Sequence, residues 1–295
     1  MKTVKPGSLP TNPVRAAFQL VRVGNTIVSF VGTVVGGVAA RGGGVQLPLS
    51  LWVLLVLAAF STAFVTAGGN VVNDLLDQES DRVNHPDRPL VTGAISPTMA
   101  RWTAVGLLVG AVAVAVPVVL TRPLVGALLA LALVALLSYE FRFKSAGLGG
   151  NLLVAFLTGL VFLYGGAAAG MPLAVLPFGF MAFFATLSRE VIKDMEDFAG
   201  DVDRQTIPRL RGMGFAGMVA RASVGTALAL SVLPLFLLLP LDSVAGVMYA
   251  ILVLMADALF VVSVVWLPAR LHTEQTLSKG AMAVALAAFL AVAFR

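Results

Sequence analysis

The sequence predicts an all-α polytopic membrane protein: nine transmembrane helices in a bundle around a central cavity, built as two pseudo-repeated four-helix units plus a ninth helix. Three observations carry this reading. Apolar runs of about 18 residues or more recur along the chain, each long enough to cross a bilayer as a helix. The 295 residues are 59% hydrophobic and only 12% charged, about half the charge expected of a soluble domain. The basic residues also collect on every second connection.

The spans are expected near 15–40, 50–70, 100–120, 123–140, 149–170, 173–191, 213–240, 243–267 and 278–294. The start of the chain, MKTVKPGSLPTNPVRAAFQLVR, lacks a compact apolar core followed by a small-residue cleavage site, so the first span is not read as a signal peptide. The connections after spans one, three, five and seven are short and poor in charge: RGGGVQLP, TRP, GMP and PLD. Those after spans two, four, six and eight are polar and basic. The N-terminal segment and these even connections hold 17 of the 20 Lys and Arg residues, leaving Arg41, Arg122 and Arg295 for the other face. Cytoplasmic loops are the basic ones. The expected placement is therefore a multi-pass protein of the cell membrane, its N-terminus and even connections cytoplasmic and its C-terminus outside. Small residues four apart, Gly32 with Gly36 and Gly166 with Gly170, let membrane helices approach closely.

Composition excludes several chemistries. There is no cysteine, hence no disulfide, thiolate nucleophile or Cys-based metal site. Two histidines, His85 and His272, cannot make a His-rich site. The net charge of +5 is absorbed by membrane topology and is not read as a nucleic-acid signature.

Eleven of the fifteen acids fall in two stretches. The first, NVVNDLLDQESDRVNHPDRPL (70–90), opens the segment 70–100. The second, SREVIKDMEDFAGDVDRQTIPRL (188–210), opens the segment 188–211. Asp74, Asp77 and Asp81 read D-x2-D-x3-D, and so do Asp194, Asp197 and Asp201, at an offset of 120 for all three pairs. The repeat points to an internal duplication within a single domain over 1–295. At 100° per residue, positions 0, 3 and 7 lie within about 60° on a helix. Each set thus gathers three carboxylates on one face, with Asn70 and Asn73 extending the first. Like charges at such spacings repel, and the cost rises near a bilayer. A divalent cation offsets it. Oxygen-only ligands without His or Cys favour Mg²⁺, Mn²⁺ or Ca²⁺ over zinc. A solvated acidic loop explains one cluster but not two with matched spacing.

Magnesium held by few carboxylates keeps positions open for phosphate oxygens. Two clusters facing each other would hold two or more ions, which would clamp a diphosphate and stabilise its departure. Arg88, Lys193, Arg142 and Lys144 are candidate diphosphate ligands, or topology anchors at the headgroups. A membrane enzyme that ionises a diphosphate suits a prenyl diphosphate, whose allylic cation needs shielding from water.

The residues NDLLDQESDRVNHPDRPLVTG resemble the first signature of the UbiA superfamily of intramembrane prenyltransferases, through Asn73, Asp74, Asp77, Asp81, Arg88, Pro89 and Gly93. Asp194, Asp197 and Asp201 are similar to its second Asp-rich motif. YEFRFKSAGLGGN is similar to a middle segment of the family, through Tyr139, Lys144, Gly150 and Asn151, and RVGN (Arg22, Asn25) matches near the start. The resemblance implies Mg²⁺-dependent prenyl transfer, with Asp77, Asp81, Asp197, Asp201 and Lys193 as catalytic candidates and Asn73, Asp74 and Asp194 as further ligands. It implies Arg22, Asn25, Asn70, Tyr139 and Asn151 as substrate contacts. The combination of REVIKDMEDFAGD with DRVNHPDRPLVTGAIS is similar to the archaeal digeranylgeranylglyceryl phosphate synthase branch. These enzymes join a geranylgeranyl group to the hydroxyl of geranylgeranylglyceryl phosphate. Branches that prenylate hydroxybenzoate, naphthoate or homogentisate share the Asp motifs. The segment DVDRQTIP departs from the Gly-Lys or Gly-Ala step that relatives often carry there.

A cation transporter is the rival from another class. It should place ionisable groups near the bilayer midplane, whereas the helix interiors here are nearly free of charge apart from Asp257. A non-catalytic scaffold gives no reason for the matched Asp sets.

Overall fold

The apolar runs fold as helices because a chain in hydrocarbon must satisfy its own backbone polar groups. The computed structural model describes residues 12–42, 46–144, 146–199 and 205–294, and among them every regular element is helical. In order these are α1 (Pro13–Leu20), α2 (Val23–Arg41), α3 (Leu49–Leu76), α4 (Gln78–Asn84), α5 (Pro97–Thr121), α6 (Pro123–Ser138), α7 (Leu148–Ala168), α8 (Leu176–Glu196), α9 (Ile207–Ser231), α10 (Leu233–Leu237), α11 (Val244–Val265) and α12 (Leu271–Leu290). Among the described residues, eight helical segments are long and apolar enough to cross a membrane. The large side chains left exposed, among them Trp102, Leu120, Phe236 and Leu254, are apolar ones that suit lipid. The chain is a multi-pass membrane protein.

The structure redraws several expected boundaries. The first span is broken: α1 and α2 meet at Arg22, a non-glycine residue in the left-handed region (φ 48°, ψ 64°). The second runs past 70 to Leu76, so much of the segment 70–100 is helical rather than loop. α8 likewise runs past 191 to Glu196. The seventh begins at Ile207, is interrupted at Gly212 (φ 85°) and stops at Ser231. The ninth expected span, 278–294, begins at Leu271, and its polar first turns (LHTEQTLSK) leave α12 outside the eight apolar segments.

Packing follows the small residues. A Cβ on Gly36 would lie 2.5 Å from the Phe162 carbonyl oxygen, and one on Gly165 would lie 2.0 Å from that of Thr33. α2 and α7 therefore touch backbone to backbone, with Gly165 rather than Gly166 as the partner of the Gly32–Gly36 row. Hydroxyls tie both helices to α3: Ser29 to Thr66 at 2.7 Å, Thr33 to Thr62 at 2.6 Å, Tyr164 to Ser61 at 3.1 Å. Arg221 of α9 donates to the Val264 and Leu267 carbonyls (3.2 and 2.6 Å) and so caps α11.

Three apolar clusters result. The largest joins α2, α3, α6, α7, α8 and α11. A second lies among α8, α9, α11 and α12, beneath the second acidic stretch. The third, Leu20, Val71, Leu90, Ile95 and Ala104 among them, supports the first acidic stretch.

Candidate active site

α3 stops and α4 starts around one residue, Asp77 (φ −94°, ψ 8°). Helical bonding survives the joint: the Asp77 N–H donates to the Asn73 carbonyl at 3.0 Å and the Asp81 N–H to that of Asp77 at 2.8 Å. Asp74 and Asp81 consequently still face one way, and Arg88 Nη1 bonds both, Asp74 at 3.1 Å and Asp81 closely. Both acids are buried (2% and 4% exposed). Burial pushes the Asp81 carboxyl above the ordinary carboxylate range, Arg88 pulls it back, and Asp77 and Asp74 push it up again.

Arg22 reaches the same cluster. Its Nη2 donates to Asp74 Oδ1 at 2.6 Å and to Asn73 Oδ1 at 2.9 Å. A left-handed residue costs about 1–2 kcal/mol, and these charged bonds hold it. Asn70 serves the same junction, donating to the Val21 carbonyl at 3.1 Å. Lys144 Nζ closes the cluster at Asp77 Oδ2, 2.7 Å away.

The second stretch repeats the local form. α8 ends at Glu196 with Asp197 capping it (φ −79°, ψ 0°) and its N–H on the Lys193 carbonyl, the position 120 residues after Asp77. Lys193 Nζ lies 3.7 Å from Asp197 Oδ2. Asn151, at the start of α7, donates to Asp194 Oδ2 at 2.8 Å. The segment 139–151 spans from one stretch to the other. It holds Lys144 at the first and Asn151 at the second. It stays close because a Cβ on Gly150 would meet the Phe143 carbonyl oxygen at 2.6 Å.

The donor set is made of hard, anionic oxygens whose buried charge demands cations, which suits Mg²⁺. Among the described residues no three His, Asp or Glu side chains converge closely enough to hold an ion by themselves. Arg22, Arg88 and Lys144 neutralise the first set. Asp201 lies outside the described residues.

The profile of the UbiA prenyltransferase family matches residues 29–291. The chain belongs to that family. A digeranylgeranylglyceryl phosphate synthase of Methanopyrus kandleri is 37% identical over 283 residues, covering 94% of this chain and 99% of that one. That of Methanoculleus marisnigri is 40% identical over 225 residues, covering 75% and 77%. Among solved structures, a digeranylgeranylglyceryl phosphate synthase superposes with a TM-score of 0.74 at 27% identity, over 96% of this chain and 99% of that one. A UbiA homolog from Archaeoglobus fulgidus, bound to DMAPP and Mg²⁺, gives 0.67 at 18% identity over 94% and 98%. At that identity it speaks for the fold alone.

Within this UbiA fold, the residues singled out from sequence divide. Arg22, Asn73, Asp74, Asp77, Asp81, Arg88 and Lys144 come together, as do Asn151 with Asp194 and Lys193 with Asp197. Arg142 points elsewhere: it is exposed and makes no ion pair among the described residues, since side chains two apart on a helix do not share a face and Lys144 is the one turned to Asp77. Asn25 is exposed on α2. Tyr139 packs beside Gly150. Sequence reasoning missed Glu140, whose carboxylate accepts from Asn73 and Lys144. Its signal was its isolation as the one acid between the two stretches, four residues before a lysine. Asp257 is held inside the bundle by the Ser231 hydroxyl at 2.8 Å.

Proposed function

We propose that this protein transfers a geranylgeranyl group from geranylgeranyl diphosphate to the free hydroxyl of geranylgeranylglyceryl phosphate, forming the second ether bond of an archaeal lipid. The observation that supports it most is the pairing of two like-built Asp-rich helix ends through the segment 139–151, in a chain whose full-length relatives are named for that reaction.

Asp77, Asp81, Asp197 and Asp201 would hold magnesium, one ion at each motif, with Asn73, Asp74 and Asp194 completing or supporting the shells. Mn²⁺ should substitute. Bound metal would supply positive charge to the departing diphosphate. The chain does the rest. Lys144, Lys193, Arg88 and Arg22 present cations around the same groups, and Asn151 orients Asp194. The apolar interior excludes water from the allylic carbon. The C–O bond breaks with its electron pair going to diphosphate. The acceptor oxygen then bonds to that carbon and releases its proton to a phosphate oxygen. The prenyl tails lie among the apolar helices or in lipid, and the motif ends face the cytoplasm, where the basic connections lie.

The test is an assay of purified protein with Mg²⁺ and labelled geranylgeranyl diphosphate, offering geranylgeranylglyceryl phosphate in parallel with aromatic acceptors. Label in the lipid product, lost with EDTA and restored by Mg²⁺, is expected. Transfer to an aromatic acceptor instead would move the protein to a quinone-forming branch. No transfer to any acceptor would overturn the enzyme reading.

A further inference from the structure

Glu140 has no part in the chemistry above, yet it is built into the site. Its side chain is 3% exposed and sits on the π-helical turn Tyr139–Phe143, a departure from α-helix that often marks functional positions. Oε1 and Oε2 accept from Asn73 Nδ2 at 3.1 and 3.3 Å. Oε2 also accepts from Lys144 Nζ at 3.0 Å, and the same ammonium reaches Asp77 at 2.7 Å.

Two consequences follow from donor and acceptor chemistry. An ionised carboxylate only accepts hydrogen bonds. Asn73 must therefore turn its NH₂ toward Glu140, which leaves Oδ1 on the opposite side, beside Asp74, where Arg22 donates to it at 2.9 Å. Glu140 thus decides which end of the amide the acidic cluster sees. Lys144 is shared between a carboxylate inside the Asp-rich motif and one outside it. When Asp77 turns to other work, Glu140 keeps a buried counter-charge for the ammonium and holds it at the site.

We propose that Glu140 is a positioning residue of the diphosphate site, fixing the Asn73 carbonyl oxygen and the Lys144 ammonium toward the first Asp-rich motif. This rests on the prenyltransferase reading. The plain alternative is an i,i+4 ion pair that only knits the turn.

The test compares wild type with Glu140→Gln, Glu140→Asp, Lys144→Met and the Glu140→Gln/Lys144→Met double variant. Calorimetry reads the Kd for inorganic diphosphate in Mg²⁺, and kinetics read KM and kcat separately. Glu140→Gln should weaken diphosphate binding and raise KM for the prenyl diphosphate by roughly 10-fold, as loss of groups that orient ligands does, with kcat moving less. Glu140→Asp should recover most of the loss. The double variant should fall short of the product of the two single effects. Unchanged diphosphate affinity in Glu140→Gln, or full multiplicativity in the double variant, would overturn the inference and leave the prenyltransferase reading standing. A wild type that binds no diphosphate would overturn both.

Discussion

Replacing Arg88 with methionine should expose how much buried charge the first Asp-rich stretch carries. Arg88 bonds Asp74 and Asp81, whose side chains are 2% and 6% exposed, from a position itself 20% exposed. Asp74 retains Arg22 at 2.6 Å. Asp81 has no other cationic partner among the described residues. Removing one partner of a buried ion pair costs about 3–5 kcal/mol. The partial exposure of Arg88 and the surviving Arg22 bond place this case at the low end, about 3 kcal/mol. At 2–4 °C per kcal/mol that is a drop of roughly 6–12 °C in the unfolding midpoint. The pH dependence has a definite sign. Burial already raises the Asp81 carboxyl, and Arg88 is its largest downward pull. Without it the carboxyl rises further. A carboxyl raised in the folded state binds more protons there than in the unfolded chain. Stability is therefore lost as pH climbs from the unfolded value, about 4, through the folded one. The assay is thermal unfolding in detergent from pH 4.5 to 8, first in EDTA and then in Mg²⁺. The deficit of Arg88→Met should be smallest at acid pH, widen toward neutral pH, and narrow when a metal ion replaces the lost cation. A midpoint equal to wild type at pH 7.5, or a deficit that grows on acidification, would refute the reasoning.

Three further outcomes follow from the same structure. Asp77→Ala and Asp197→Ala should each lower kcat by about 100-fold or more with expression and membrane insertion intact, and full activity in either would sink the metal-clamp mechanism. Asn151→Ala removes a bond to a charged acceptor, worth about 1.5–3 kcal/mol, and steady-state kinetics should show KM for the prenyl diphosphate raised roughly 10-fold or more. Gly165→Ala forces a methyl to within 2.0 Å of the Thr33 carbonyl oxygen. Overpacking of that kind costs about 1–3 kcal/mol, so a thermal midpoint at or above wild type would contradict the close α2–α7 contact.

The spans and the paired acids were legible because both are periodic signals, apolar length for one and a 120-residue echo for the other. What stayed hidden was set by tertiary partners. Nothing local marks Arg22 as a left-handed residue. Its conformation is settled by Asn73 and Asp74, more than 50 positions away. Arg142 and Lys144 look equivalent as charges in YEFRFK, but two residues apart on a helical turn they cannot share a face, and the contacts to Asp77 and Glu140 show which of them enters the site. Glu140 resembles a solvated acid at a helix end until Asn73 and Lys144 close over it. α12 begins at Leu271, and its first turns carry Glu274 and Ser278, both buried against the bundle, whereas hydropathy alone favours a start several residues later.

Both motif helices end on the middle aspartate of their sets, Asp77 and Asp197. The C-terminal end of a helix carries roughly half a negative charge, which the start of α4 offsets at Asp77 and which adds to the acids where α8 closes at Asp197. Arg22, Arg88 and Lys144 offset that charge at the first set, and Lys193 stands 3.7 Å from Asp197 at the second. Ions carried in with the lipid diphosphate would add positive charge at both helix ends, so turnover in the cell would be expected to follow free magnesium as well as the isoprenoid supply.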